Sequence, residues 1–400
     1  MEKNYTKKLI KLKLEGIGSE GDTTGYYNCE QINIFGGIPG ETVLAEIDIQ
    51  KKTKRKKSRI YGIVKKILIS SPNRIKPPCQ FYGFCTGCNW QHIKYEHQLK
   101  LKEQIIYKEI NSNITSKINI KKIIHSEKQF NYRNHARFSI RRNGQIGFTN
   151  KVTKKFAAIN HCLIMNNKIN KYINNLENLV GETSQLSIRA SENTNSFLIQ
   201  PKFKNSDIKI ETGQKYYAEQ ISGYKFQISS SSFFQVNSNQ IENMKNTILS
   251  LIKDNRKGLL VDAYSGVGTF GILLSKYFEK VIGIEQSSSA VIDAKINIKN
   301  ISNYKILTGN SEDIIKEIQS KIDVVILDPS RKGCDEKLLN NLISHPADNI
   351  IYISCEPKTL GRDLKILNEK IYKIQSITPF DLFPNTHHVE SITLLKVNKK

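Results

Sequence analysis

The chain has no apolar run of the length that a bilayer helix needs, so a helical membrane anchor is not expected. Its first residues, Met1-Glu2-Lys3-Asn4, carry no signal-peptide core, and the expectation is a cytoplasmic protein with no membrane partner. Acid is scarce. Asp and Glu number 37 against 61 Lys and Arg, a formal charge of +24. That imbalance points to a polyanionic partner, of which nucleic acid is the commonest. Abundant Lys, Ile and Asn account for part of the excess, but residues 51–59 hold seven basic side chains in nine positions. This run interrupts strand-like alternation and reads as a loop on a binding face. Cysteine is sparse and odd in number, seven in 400 residues, which argues against a disulfide framework and leaves metal binding or catalysis. Internal repeats and low-complexity segments are also absent.

What is present falls into three stretches. The first sixty or so residues alternate in period two, as in Leu12-Lys13-Leu14 and Val43-Leu44-Ala45-Glu46-Ile47, with turns at Gly16, Gly18, Gly21, Gly36-Gly37 and Pro39-Gly40. Short strands with glycine turns predict a small β-barrel of the OB type, suited to RNA. A Pro-rich linker ending at Pro77-Pro78 precedes a cysteine cluster and a helix over about 95–110. A second β-rich region from about Tyr132 to Ile228 carries Arg133, His135, Arg137, Arg141 and Arg142 on strand-like segments. From about Ser229 apolar strands alternate with helices, the signature of an α/β fold. The expected domains are 1–67, 68–228 and 229–400, with the 95–110 helix packing on the last.

Leu259-Leu260-Val261-Asp262-Ala263-Tyr264-Ser265-Gly266-Val267-Gly268-Thr269 reads as a strand, a tight glycine turn and a helix start. The next strand, Val281-Ile282-Gly283-Ile284, ends on Glu285, where an acid can accept from both hydroxyls of a ribose. A glycine turn alone fits a dinucleotide equally well. Two details favour S-adenosylmethionine over a nicotinamide dinucleotide. The loop lacks the third glycine of the dinucleotide fingerprint, and Gly309-Asn310-Ser311-Glu312-Asp313 follows a third strand in position to touch an adenine. A fourth strand delivers Asp328-Pro329-Ser330-Arg331-Lys332-Gly333 near the methionine end and the substrate.

Cys79, Cys85 and Cys88 are separated by five and two residues. Three thiolates from one loop ask for a metal and a fourth ligand. Cys29, Cys162, Cys334 and Cys355 remain as candidates, and Cys162, beside His161, is favoured. The spacing fits a four-thiolate zinc and a 4Fe-4S cluster alike.

Two apolar runs near the C-terminus each set a reactive side chain at one end. Asn349-Ile350-Ile351-Tyr352-Ile353 leads to Cys355, and Glu390 leads into Ser391-Ile392-Thr393-Leu394-Leu395. Both runs read as buried strands of a parallel sheet, whose ends carry the chemistry of open α/β folds. A thiol and a carboxylate there suggest a nucleophile with a base.

Taken together these residues resemble the uracil-5 RNA methyltransferases, and within them the iron-sulfur-containing 23S rRNA (uracil-5-)-methyltransferases with an N-terminal TRAM domain. The resemblance covers essentially the whole chain. It is carried by Ile38-Pro39-Gly40-Glu41, the Cys79-Cys85-Cys88 loop followed by Gln91-His92, Phe234-Gln235-Val236-Asn237, and the glycine loop. Further carriers are Asp328-Pro329 with Arg331 and Gly333, Ser354-Cys355 with Pro357, Arg362 and Asp363, and Phe383-Pro384 with Thr386, His388, Val389 and Glu390.

The resemblance implies a Rossmann-like S-adenosylmethionine methyltransferase domain behind a TRAM barrel and a central domain bearing an iron-sulfur loop. It implies that Gln235, Tyr264, Glu285 and Asp328 contact S-adenosylmethionine, with Thr269 and Asn310 at further contact positions; Thr269 stands where an Asn is often found. It implies a 4Fe-4S cluster on Cys79, Cys85, Cys88 and Cys162, Cys355 as nucleophile and Glu390 as base. Ser330 replaces a usual second proline and Glu356 stands where Asn or Asp is common; both bear on substrate preference. The implied partner is RNA, 23S rRNA first and the tRNA T-loop second, read by a monomer. An RNA-binding factor that keeps the fold without turnover is the reading from another class. The implied chemistry asks for a lowered Cys355 pKa, with Arg362 contributing.

Overall fold

Period-two alternation in the N-terminal stretch produces six strands: β1 (Thr6–Lys13), β2 (Gly16–Ile17), β3 (Thr23–Tyr27), β4 (Glu30–Phe35), β5 (Thr42–Gln50) and β6 (Arg59–Ile69). They form one sheet in the order β1-β5-β6-β4-β3-β2. Leu12, Leu14, Ile32, Ile34, Val43, Ala45 and Ile47 pack as its core. Just past β1, the Leu14 N–H donates to Glu41 O and the Glu15 N–H to Thr24 O, each at 2.9 Å, so the chain leaving one side of the sheet reaches the other. Register shifts in the β5–β6 pair help it curl.

The computed structural model describes residues 6–50, 59–253 and 257–398. The basic run at 51–59 lies outside the described residues except for the backbone of Arg59. Two compact units result, one of Met1–Ile105, Thr149–Ala157 and Asn385–His388, the other of Ile106–Phe148, Ala158–Pro384 and Val389–Lys400. The predicted helix is α1 (Tyr95–Asn111), whose last residues, with Asn113, pack so tightly on Gly361 that an added Cβ there would meet Glu109 O at 2.9 Å. Among the described residues no helix is long and apolar enough to cross a membrane.

The central β-rich stretch holds β7 (His135–Ile140), β8 (Ile146–Thr149), β9 (Phe156–Ala158), α2 (Asn167–Leu176), β10 (Gln185–Ala190) and β11 (Phe197–Gln200), its strands forming a sheet in the order β11-β10-β7-β8-β9. A hairpin of β12 (Tyr216–Ile221) and β13 (Tyr224–Ser229) follows, then α3 (Ser238–Leu251). The α/β part holds β14 (Leu259–Asp262), α4 (Thr269–Leu274), β15 (Lys280–Glu285), α5 (Ser288–Asn297), β16 (Tyr304–Thr308), α6 (Ser311–Ile314) and β17 (Val324–Leu327). It ends with α7 (Glu336–Ser344), β18 (Asn349–Ser354), α8 (Pro357–Glu369), β19 (Tyr372–Phe380) and β20 (Glu390–Val397).

These last strands form a seven-stranded sheet in the order β16-β15-β14-β17-β18-β20-β19. Strands β14 to β18 are parallel, and β18 is buried along its whole length, as a strand covered on both faces must be. β20 departs from the expectation of a parallel strand: it runs antiparallel to β18 and β19. The reason lies in the position of Glu390 at the start of its strand. Only a reversed strand brings a leading residue to the edge where Cys355 follows a trailing one.

Candidate functional site

In the β18–β20 ladder Asn349 pairs with Lys396 and the register runs unbroken to Ser354 with Ser391. The next pair in that register is Cys355 with Glu390, which places thiol and carboxylate side by side at one sheet edge. Glu390 is 2% exposed, and burial, with Asp328 next, pushes its carboxyl well above the usual range while Arg331 opposes. Cys355 is half-buried. Burial first, then Glu390 and Asp328, push its thiol up to about 12, and Arg331 pulls it down. The expected lowering is therefore reversed, because burial and two carboxylates outweigh the one cation. The cation that faces Cys355 is Arg331; Arg362 is turned to Asp363, with Nε–Oδ1 at 2.7 Å.

Neighbouring strand ends extend this acidic edge. Asp262 closes β14, Glu285 closes β15 and Asp328 follows β17 directly. Asp262 is buried, with Oδ2 accepting from the Gly271 N–H at 3.0 Å. Its carboxyl rises to about 7, by burial and by Glu285 against the Gly271 hydrogen bond. Asp328 rises to about 7 through burial and Asp262. Glu285 accepts from the Gly266 N–H at 2.9 Å and the Ser287 N–H at 2.6 Å, which fixes it beside the glycine turn. Gly268 caps α4 at φ +90, a backbone conformation that favours glycine, and Thr269 is the first helical residue. Asn310 caps α6, its side chain exposed and 3.4 Å from Asp313 Oδ2. Tyr264, just past β14, shares a hydrogen bond with buried Cys334. Gln235 is buried, its carbonyl held by Asn134 at 3.2 Å. The turn before it is fixed by buried Asp293, which accepts from the Ser229 N–H and the Ser232 hydroxyl, each at 2.7 Å. A sheet edge lined by carboxyls suits a cationic ligand such as a sulfonium better than a polyphosphate.

The cysteine loop lies in the first unit, and no disulfide involves any of the seven cysteines. Cys79, Cys85 and Cys88 are half-exposed. Buried Gln91 accepts from the Cys79 N–H at 3.3 Å, and buried His92 sets its Nδ1 2.5 Å from the Tyr82 hydroxyl and its Nε2 2.9 Å from Gly37 O. Burial lowers His92 to about 4, so the ring is neutral, donates from Nε2 to the Gly37 carbonyl and accepts from Tyr82. Among the described residues no three His, Cys, Asp or Glu side chains gather closely enough for a single metal ion. Cys162 lies in the second unit, its N–H donating to Asn170 Oδ1 at 2.8 Å.

On the central sheet the basic residues obey strand alternation. Ala136, Phe138 and Ile140 turn to the core, while His135 and Arg137 take the other face, where Arg189 pairs with His135. Arg133 precedes this strand, and Arg141 and Arg142 fall in the turn after it rather than on a strand.

Residues 191–398, more than half of the chain, match the model of the tRNA (uracil-5-)-methyltransferase family. The chain belongs to that family. It is 29% identical to an uncharacterized RNA methyltransferase of Clostridium tetani, over 99% of this chain and 97% of the relative. Another from Aquifex aeolicus is 30% identical, over 98% and 99%. Among solved structures, the Pyrococcus abyssi tRNA (uracil-54, C5)-methyltransferase in complex with S-adenosyl-L-homocysteine superposes with a TM-score of 0.73 at 24% identity, covering 96% of this chain and 99% of that one, which shows a common fold. The protein is an S-adenosylmethionine-dependent RNA (uracil-5-)-methyltransferase. The structure brings to this edge three side chains to which the sequence patterns gave no part in it: Asp262 beside Asp328, Arg331 acting on Cys355, and Cys334 beside Tyr264. Asp262 had one signal, a lone acid ending an apolar strand before the glycine turn.

Proposed function

We propose that the protein methylates carbon 5 of a uridine in 23S rRNA, through a covalent bond from Cys355 to carbon 6 and proton removal by Glu390. The observation that carries this reading is the β18–β20 register that sets Cys355 against Glu390. Carbon 5 of uracil is too weak a nucleophile to take a methyl group from a sulfonium, and thiolate attack at carbon 6 turns the ring into an enolate whose carbon 5 is nucleophilic. After transfer, the carbon-5 proton must leave before the thiolate can be eliminated, and Glu390 accepts it. Bound S-adenosylmethionine supplies the methyl group and a positive charge at the acidic edge. Cys355 and Glu390 then ionise more readily, because each was held neutral by burial and neighbouring carboxylates. Gln235, Tyr264, Thr269, Glu285, Asn310 and Asp328 hold the cofactor in this reading.

A 4Fe-4S cluster on Cys79, Cys85, Cys88 and Cys162 is part of the proposal. A single zinc would need its thiolates within about 2.3 Å of one atom, whereas a cubane presents a separate iron to each. The cluster would order the loop, since the methyl transfer needs no electron. Residues 1–67 serve as a TRAM-like RNA module, and Arg133, Arg137, Arg141 and Arg142 of the central region support RNA while the target uridine is turned out of its stack. A monomer suffices for these roles.

A tRNA substrate is the second reading, favoured by the Pyrococcus abyssi neighbour, which is a tRNA enzyme. Mapping 5-methyluridine in total RNA with and without the protein tests both. Loss at a 23S position supports the first reading, and loss confined to tRNA overturns it in favour of the second.

A further inference from the structure

Helix α8 begins directly after Cys355 and Glu356, and its first two turns grip the loop that follows β17. The Thr359 hydroxyl donates to Arg331 O at 3.2 Å. Arg362 Nη2 donates to Lys332 O at 3.0 Å and to Cys334 O at 3.3 Å. Asp363, fully buried, accepts on Oδ2 from the Cys334 N–H at 2.8 Å and from the Tyr352 hydroxyl at 2.6 Å. Its Oδ1 is held by Arg362 at 2.7 Å. The fit is close: Gly333 sits at φ +77, and a Cβ there would lie 2.5 Å from both Arg362 Nη2 and Asp363 Oδ2. Arg331, Lys332 and Cys334 are thus tied to the helix that carries Cys355 at its N-terminal approach, with Gly333 packed between them. The same loop bears Asp328 and Arg331.

We propose that Arg362 and Asp363 form a positioning clamp that holds the 328–334 loop, and with it Asp328 and Arg331, beside the end of β18 from which Cys355 emerges. The clamp rests on the reading of Cys355 as nucleophile and extends it to residues that touch neither substrate nor cofactor. Arg362 does not act as the thiolate's counter-ion; it acts by gripping backbone carbonyls with a planar fork, which a lysine cannot reproduce. The charged groups acting on Cys355 are Glu390 from β20 and Asp328 and Arg331 from the clamped loop; burial and Asp328, which push the thiol up, outweigh Arg331, which pulls it down, so displacement of the loop lowers the thiol. Buried Asp363 has a second function: through Tyr352 it ties β18 itself to the loop, and the Tyr352 and Tyr264 side chains both reach Cys334.

The test is the pH dependence of Cys355 alkylation by iodoacetamide, read at the Cys355 peptide by mass spectrometry. It needs no RNA and no turnover. Arg362→Lys keeps the charge and loses the fork. The expected result is alkylation quickened about tenfold at pH 7 and a rate curve displaced to lower pH, since a tenfold gain of thiolate is one pH unit of displacement. Asp363→Asn should displace it in the same direction. An unchanged curve for Arg362→Lys, with only a lower melting temperature, overturns the clamp. Methyl transfer on the same preparations separates the two claims: if the parent alkylates normally and the variant is displaced but the parent transfers no methyl group to RNA, the clamp stands and the functional reading falls.

Discussion

Cys355 and Glu390 occupy the position that follows Ser354 and Ser391 in an antiparallel strand pair. Sequence separation between them is large, yet the ladder places them as cross-strand neighbours, whose Cβ atoms in such a pair lie about 5 Å apart. The reversed strand is what makes the site possible, because it returns a buried carboxylate to the edge where the thiol emerges.

Cys355→Ala should bring methyl transfer to RNA below detection while leaving S-adenosylmethionine binding within about twofold of the parent, because the thiol is the reacting group and not a cofactor contact. Labelled-methyl incorporation and calorimetric titration of the cofactor check both halves.

The raised carboxyls make cofactor binding depend on pH. Asp262 and Asp328 rise from 3.8 to about 7 in the folded chain, so their contribution to stability is fully present below 3.8 and lost as pH rises through about 7. A bound sulfonium offsets that loss where the carboxylates are ionised. The melting temperature should therefore rise more on addition of S-adenosylmethionine at pH 8 than at pH 5.5, and the contrast should be smaller for uncharged S-adenosylhomocysteine. Equal shifts at both pH values would count against the charged edge.

Glu41 is fully buried at the turn Ile38-Pro39-Gly40-Glu41 and meets Arg74 through two 2.6 Å contacts. Burial would push its carboxyl up, but Arg74 and the N–H groups of Ser71 and Ile38 outweigh burial and hold it below the usual range. Arg74→Ala strands this charge and should destabilise the fold by about 3–5 kcal/mol. Denaturant unfolding followed at Trp90, the one tryptophan and a core residue of the same unit, reads the change.

Tyr82→Phe removes the hydroxyl that His92 accepts from and loosens the cysteine loop. Protein prepared without oxygen should be brown and contain iron, and this variant should lose iron to a chelator faster than the parent, measured by absorbance. Stoichiometric zinc without iron in the parent would reject the cluster.

Much of this was legible in the sequence, for local reasons. Gly266 and Gly268 announce a turn, Glu285 ends an apolar run, and Cys79, Cys85 and Cys88 advertise themselves by spacing. The direction of β20 was not legible, because a fully buried strand shows the same apolar run whichever way it points. The sign of the Cys355 shift was missed for a related reason: it is set by burial first and then by Glu390 and Asp328, which come from elsewhere in the chain and outweigh Arg331. Arg362 shows the difference most plainly. By sequence it is the first arginine of the helix that follows Cys355, yet its guanidinium is committed to Asp363 and to two carbonyls.

The central claim is most directly tested with Glu390→Gln protein incubated with S-adenosylmethionine and target RNA, then run on a denaturing gel. The account predicts an RNA–protein band that survives denaturation and carries labelled methyl, because the carbon-5 proton has no acceptor and Cys355 stays bonded to carbon 6. Normal turnover with no such band would contradict it.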